Sequence, residues 1–213
     1  MQIIINGKTE FDYNANFIHK EISEPAPKLE TVEIPLSDGF VNASALLSDH
    51  PFFAPRTITL GFELRGARYT WPMTWSKMLN DLHGQSVTLV FQDDSTWYWQ
   101  GTASVGPLED HGSTAGVTIT VNAQPFKRTQ QKTPFVSTTI STDTAFVLNC
   151  PYPRAYPEFI VSTSGFTVNY DNETWSLPVG TSTAYGLVLF EGANTLTVHG
   201  VGDVEINYVG GSL

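Results

Sequence analysis

The sequence has a single cysteine, Cys150, so no disulfide can form within the chain and no cysteine-based zinc site can be built. That suits assembly in a reducing cytoplasm. Charge is scarce at 15% of residues, and basic charge scarcer still: 11 Lys and Arg stand against 21 Asp and Glu, for a net charge of −10. Split at Lys127, the first part holds 8 basic and 14 acidic residues and the remainder 3 and 7, so both parts are acidic. An acidic surface disfavours grip on nucleic acid or on anionic membranes, because phosphate binding needs clustered Lys and Arg. Long apolar runs are missing too. The opening MQIIINGKTEF breaks at Asn6-Gly7 without the basic start or apolar core of a signal peptide, and no stretch approaches the ~20 apolar residues of a membrane span. A soluble protein without a secretory address is expected. There is no GxSxG, P-loop or GxGxxG, and no internal repeat.

What is present points to strands. Hydrophobic residues make up 41% and aromatics 12%, the composition of a folded globule. Polar surface is supplied by Thr, Ser and Asn, which suit strand faces and turns. A chain of 213 residues can bury a real core as one large β domain or as two small ones.

The stretch Gly116–Lys127 divides the chain. Val117, Ile119 and Val121 alternate with Thr118, Thr120 and Asn122, the period of a half-buried strand. Pro125 then removes a ladder donor, and the polar RTQQKTP follows with no apolar stripe. This predicts a first domain over residues 1–127, a linker over 128–134 and a second domain over 135–213.

In the first domain, Ile3 to Ile5 with Asn6-Gly7 reads as a strand and a type I′ turn. Phe17 to Ile22 and Leu29 to Leu36 read as strands around the stiff SEPAP, then Ser37-Asp38-Gly39 as a turn and Phe40 to Pro55 as irregular. Arg56 to Leu64 alternates most clearly, with Ile58, Leu60, Phe62 and Leu64 inward and Gly61 leaving room on the outer face. Trp75, Met78, Leu79 and Leu82 fit a helix over Thr74 to His83, capped by Thr74 and Gly84. Ser86 to Gln92 and Thr96 to Val105 form a hairpin around Asp93-Asp94-Ser95. Pro107 to Ala115 is expected as a long polar loop projecting toward a neighbour. The second domain carries short strands at Ala145–Cys150, Glu158–Ser162, Gly165–Tyr170, Glu173–Leu177, Gly186–Phe190, Asn194–His199 and Asp203–Tyr208. That spacing is typical of a β-sandwich.

Candidate chemistry is thin. His19, His50, His83, His111 and His199 show no HxH or HxxxH spacing, so no metal site is expected. Asp93-Asp94 and Glu109-Asp110 could be paired glycosidase acids but read as solvated turns. The aromatics Trp71, Trp75, Trp97, Tyr98 and Trp99 could form a sugar platform, or fill the core and cover the helix; alternation on one strand favours the core. Asn42-Ala-Ser44 and Asn172-Glu-Thr174 match the glycosylation pattern, which carries no meaning without a secretory signal. No catalytic, cofactor-binding or metal-binding residue is assigned, and the chain is expected not to be an enzyme.

Taken in order, IIINGKT, VEIPLSDG, RTITLGFEL, WSKMLNDLHG, DDSTWYWQG, Ala123 to Lys127 and the closing GLVLFEGANTLTVHGVGDVEINYVGGSL resemble the distal tail protein family of long-tailed, non-contractile bacteriophages and their prophages. The resemblance implies an all-β chain with one short helix: a tail-tube-like split β-barrel or sandwich that forms the ring, then a galectin-like β-sandwich. It implies a structural hub at the virion tail tip, made in the bacterial host cytoplasm. A hexameric ring would join the tail tube to tail-associated, fibre or baseplate proteins, and DNA would pass through its bore. No cofactor is implied. The compact C-terminal part lacks the extra arm or carbohydrate module that some members insert, which argues against a direct receptor-binding role. The alternative from another class is a carbohydrate-binding β-sandwich protein.

Overall fold

The computed structural model describes residues 2–33, 38, 40–42 and 50–213. The expected turn at Ser37–Gly39, the end of the strand reaching Leu36 and the Asn42–Ser44 pattern lie wholly or partly outside them. The chain divides into two compact units, Met1–Pro125 and Phe126–Ser212.

The first unit contains β1 (Ile3–Ile5), β2 (Lys8–Thr9), β3 (Ala15–Ile22), β4 (Thr31–Glu33), β5 (Phe40–Asn42), β6 (Arg56–Leu64), the helix α1 (Trp71–Leu82), β7 (Ser86–Phe91), β8 (Trp97–Asp110) and β9 (Ala115–Ala123). Among the described residues, β4 and β5 pair only with each other. The other seven strands form one antiparallel ladder in the order β3-β6-β9-β8-β7-β1-β2. Asn6 and Gly7 both take positive φ, 51° and 77°, as the type I′ turn between β1 and β2 requires.

This ladder is rolled. Four strand steps separate β3 from β7, about 19 Å in a flat sheet, yet the Phe17 and Phe91 rings stack with centroids 6.2 Å apart. The Lys20 ammonium lies 4.2 Å from the Phe91 ring centre and 2.6 Å from Asp93 just beyond β7. Side chains rather than ladder bonds close the gap, so this is a split barrel. Its interior is a single apolar cluster that includes Ile58, Leu60 and Phe62 of β6, Val117, Ile119 and Val121 of β9, and Met78 and Leu82 of α1.

Two expectations for this unit change. The helix starts at Trp71, not Thr74, because Pro72 sits in the first turn, where its missing N–H costs nothing. Thr74 is buried inside the helix rather than capping it, while Gly84, at φ 73°, follows the helix end as predicted. The long loop at 107–115 is mostly ladder: Leu108, Glu109 and Asp110 pair with Val117, Gly116 and Ala115 after a register shift beyond Val105. Only His111–Thr114 forms the turn, closed by the His111 N–H to the Thr114 carbonyl at 2.9 Å. Pro107 reads as a breaker but falls in the bulge, where no ladder donor is needed.

The second unit contains β10 (Lys127–Thr129), β11 (Thr133–Ile140), β12 (Thr144–Val161), β13 (Phe166–Tyr170), β14 (Glu173–Leu177), β15 (Gly180–Thr183), β16 (Leu189–His199) and β17 (Gly202–Ser212). β12 is the organising strand. Its first half, Thr144 to Cys150, pairs with β16, which pairs with β13 and through it β14. Its second half, Arg154 to Val161, pairs with β17, and Glu158 to Val161 also with β15. A register shift between Cys150 and Arg154 moves the strand from one sheet to the other. The two faces share one core, with Leu148, Phe166, Val168 and Val198 from one sheet and Phe159, Val161, Val204 and Ile206 from the other. This is a β-sandwich.

The strands expected separately at Ala145–Cys150 and Glu158–Ser162 are parts of this one strand, with Pro151 and Pro153 in the bulge between them. The expected linker at 128–134 is in part ladder: Lys127 and Arg128 pair with Ser212 and Gly211, and Thr133 onward runs along the same strand. β11 and β15 escaped prediction because both are largely solvated Thr- and Ser-rich edge strands.

Candidate functional site

The aromatic series does not make an exposed platform. Trp71 and Trp99 are buried in the barrel, and the Arg56 guanidinium stacks 4.7 Å from the Trp99 ring centre. Trp75 packs against the same core and donates its indole N–H to the Gly106 carbonyl at 3.0 Å. Trp97 and Tyr98 are half-buried.

The paired acids are separated by their own partners. Asp93 holds Lys20, while Asp110 holds Arg68 at 2.6 Å and Glu109 lies 3.7 Å from His111. In the sandwich, His199 bridges Asp143 at 2.9 Å and Asn169 at 2.9 Å. His83 Nδ1 accepts the Val105 N–H at 3.1 Å. Among the described residues, no three His, Cys, Asp or Glu side chains are gathered as a metal site requires. Cys150 is buried, and burial pushes its thiol pKa up, away from nucleophile chemistry.

A groove of about 430 Å³ lies on the outer wall of the barrel, over β3, β6 and β9. Its floor is made by glycine. Gly61 of β6 lies directly beneath the His19 imidazole, so any side chain there would displace the ring. This is the close approach that the glycine in RTITLGFEL predicted, with a side chain of the same barrel as the visitor. Gly116 of β9 forms the second gap and pairs with Glu63 on one side and Glu109 on the other. The groove walls are β3, where Ile18 is 55% exposed, and the hairpin turn after β8. The sequence flagged Gly61 alone. Gly116, Glu63 and Glu109 become one feature only through a strand register that no local pattern reveals.

Four aspartates on the barrel surface are engaged. Asp12 is held below the ordinary carboxylate range first by the Thr9 backbone N–H, Asp81 and Asp93 by the ammonium groups of Lys8 and Lys20, and Asp110 by the Gly112 N–H and then Arg68. Folded values below the unfolded value mean that the stabilisation is complete above about pH 4 and is lost as pH falls through the folded values. The barrel's thermal midpoint is therefore expected to drop on acidification from about pH 5 to pH 2.5. A midpoint that holds or rises over that interval would show these contacts to be energetically idle.

No family model matches the sequence, and no curated protein matches it. Among solved structures, the chain matches the Dit protein of phage SPP1, described as a paradigm of the hub adsorption apparatus in phages infecting Gram-positive bacteria. The match has a TM-score of 0.61 at 14% sequence identity and covers 100% of this chain and 99% of that one. The chain has the fold of a phage hub protein. The Dit fold thus accounts for split barrel and sandwich together, with neither left over. A weaker likeness, to the phage p2 baseplate in its activated conformation, has a TM-score of 0.48 at 7% identity over 98% of this chain and 97% of that one. The fold assignment rests on Dit alone.

Proposed function

We propose that this protein is the structural hub at the distal end of a phage tail, without catalytic activity. In this reading six copies form a ring through the barrel unit. The ring joins the tail tube to baseplate or fibre proteins at the virion tail tip, after assembly in the host cytoplasm. The sandwich, read as galectin-like, serves as the outward attachment platform. The observation that carries this is the full-length likeness to Dit, spanning both units rather than one common module.

The barrel's ends are compatible with a closed ring. Its ladder terminates on β3 and β2, each paired on one side only among the described residues, and a ring needs two different patches per subunit. Net charge supports the bore: at −10 per chain the surface repels the DNA backbone, so DNA slides rather than sticks. The carbohydrate-binding reading loses its main support, because Trp71, Trp75 and Trp99 serve the barrel core.

Expressing residues 1–125 and 126–213 separately tests the division of labour. Each piece is expected to unfold cooperatively, the first as a ring-sized oligomer and the second as a monomer. An oligomeric sandwich beside a monomeric barrel would reverse the assignment.

A further inference from the structure

We propose that the groove on the outer wall of the barrel seats an arginine or lysine side chain presented by a basic segment of another protein. Glu63 and Glu109 both pair with Gly116, so they stand two strand spacings apart, about 9–10 Å, with a glycine between them on β9 and the His111 imidazole beside Glu109. A Cβ on Gly116 would make ordinary van der Waals contact with His111 Nε2 at 3.7 Å and with Glu109 Oε2 and the Phe62 carbonyl oxygen at 3.9 Å, and the groove lies over these residues. Two carboxylates facing each other across a glycine gap fit a planar guanidinium or an ammonium between them. The aliphatic stem of such a side chain would lie on exposed Ile18 at the groove wall.

Among the described residues, no Lys or Arg of the chain pairs with either carboxylate. The Glu63 carboxylate has no ion pair or hydrogen bond among the described residues, and the Glu109 carboxylate has only His111 at 3.7 Å. By contrast Asp81, Asp93, Asp110 and Glu158 each hold a Lys or Arg of their own chain within 2.7 Å. Charge balance also selects the occupant. With 11 basic residues against 21 acidic, four of those bases already paired in this way, another copy of the chain is a poor source. A basic segment of a different protein is complementary, and like-charge contact with a second copy is not. This inference stands on the groove's geometry and is independent of the hub reading.

The test uses the intact chain and two fluorescein-labelled hexapeptides, one with two arginines and one with citrulline in their place, read by fluorescence anisotropy. The arginine peptide is expected to bind at least about tenfold more tightly than the citrulline peptide. Glu63→Gln with Glu109→Gln should remove that preference, while Glu173→Gln with Glu191→Gln, on the sandwich surface, should leave it within about twofold. Gly116→Val fills the gap without changing charge and should also abolish it. If Gly116→Val lowers the thermal midpoint, Gly116→Ala supplies the smaller steric block. Undiminished binding in a folded gap-filled variant would overturn the proposal, since attraction would then be due to bulk charge. So would a fall in native mass for the Glu63/Glu109 variant, which would place a second copy in the groove.

Discussion

Replacing Asn194 with alanine is expected to destabilise the sandwich by about 2–4 kcal/mol, although the sequence presents the position only as the first residue of a short strand. β16 runs through Glu191-Gly192-Ala193 without ending, and Gly192 takes φ 97°. That conformation leaves backbone groups without ladder partners, and the Asn194 amide satisfies them. Its Oδ1 accepts the Phe190 N–H at 3.1 Å and the Tyr170 hydroxyl at 2.8 Å. Its Nδ2 donates to the Phe190 carbonyl at 2.8 Å and the Gly192 carbonyl at 3.0 Å. The side chain is 5% exposed, so water cannot readily replace it. It also lies where β12 crosses between sheets, since Gly192 pairs with Cys150 and Phe190 with Arg154. For a unit of this size the loss corresponds to a midpoint drop of roughly 10–25 °C. Asn194→Asp keeps the acceptor but places a carboxylate against two carbonyls, and should be at least as damaging. A loss below about 0.5 kcal/mol for the alanine variant would mean that solvent satisfies the bend.

Met78→Ala is expected to cost the barrel about 2–5 kcal/mol. Met78 is fully buried on α1, between Trp71 and Leu82 on the face that closes the core. Truncation removes three heavy atoms from a close-packed site that cannot collapse onto a rolled sheet. Two comparisons fix the interpretation. Met73, 72% exposed on the same helix, should tolerate alanine within about 0.5 kcal/mol. The sandwich transition should not move, because its core is separate. A loss at Met78 no larger than at Met73 would mean that the helix covers the barrel without being packed into it.

Wherever one face of a strand is buried, the sequence announces it. The alternation in RTITLGFEL and GVTITVNA gives β6 and β9 to the residue on both inner faces, and Asn6-Gly7 gives the first turn. What stays hidden follows from topology. Pro151, Pro153 and Pro157 look like breaks because a proline cannot serve a central ladder, yet β12 bulges there and changes sheets. β11 is nearly all Thr, Ser and Pro on its exposed side, so its pairing with β17 has no local signature. The helix start moved by three residues because Thr74 resembles a cap and Pro72 a breaker, while tertiary packing of Trp71 extends the first turn. The groove was half visible: glycine in a strand signals close approach, but the pairing of Gly116 with two glutamates needs the register of three strands.

Native mass of the intact chain, measured by light scattering over a wide concentration range, tests the ring most directly. The hub reading predicts a single species near six times the 23.4 kDa chain, persisting on dilution. A monomer at every concentration would contradict it.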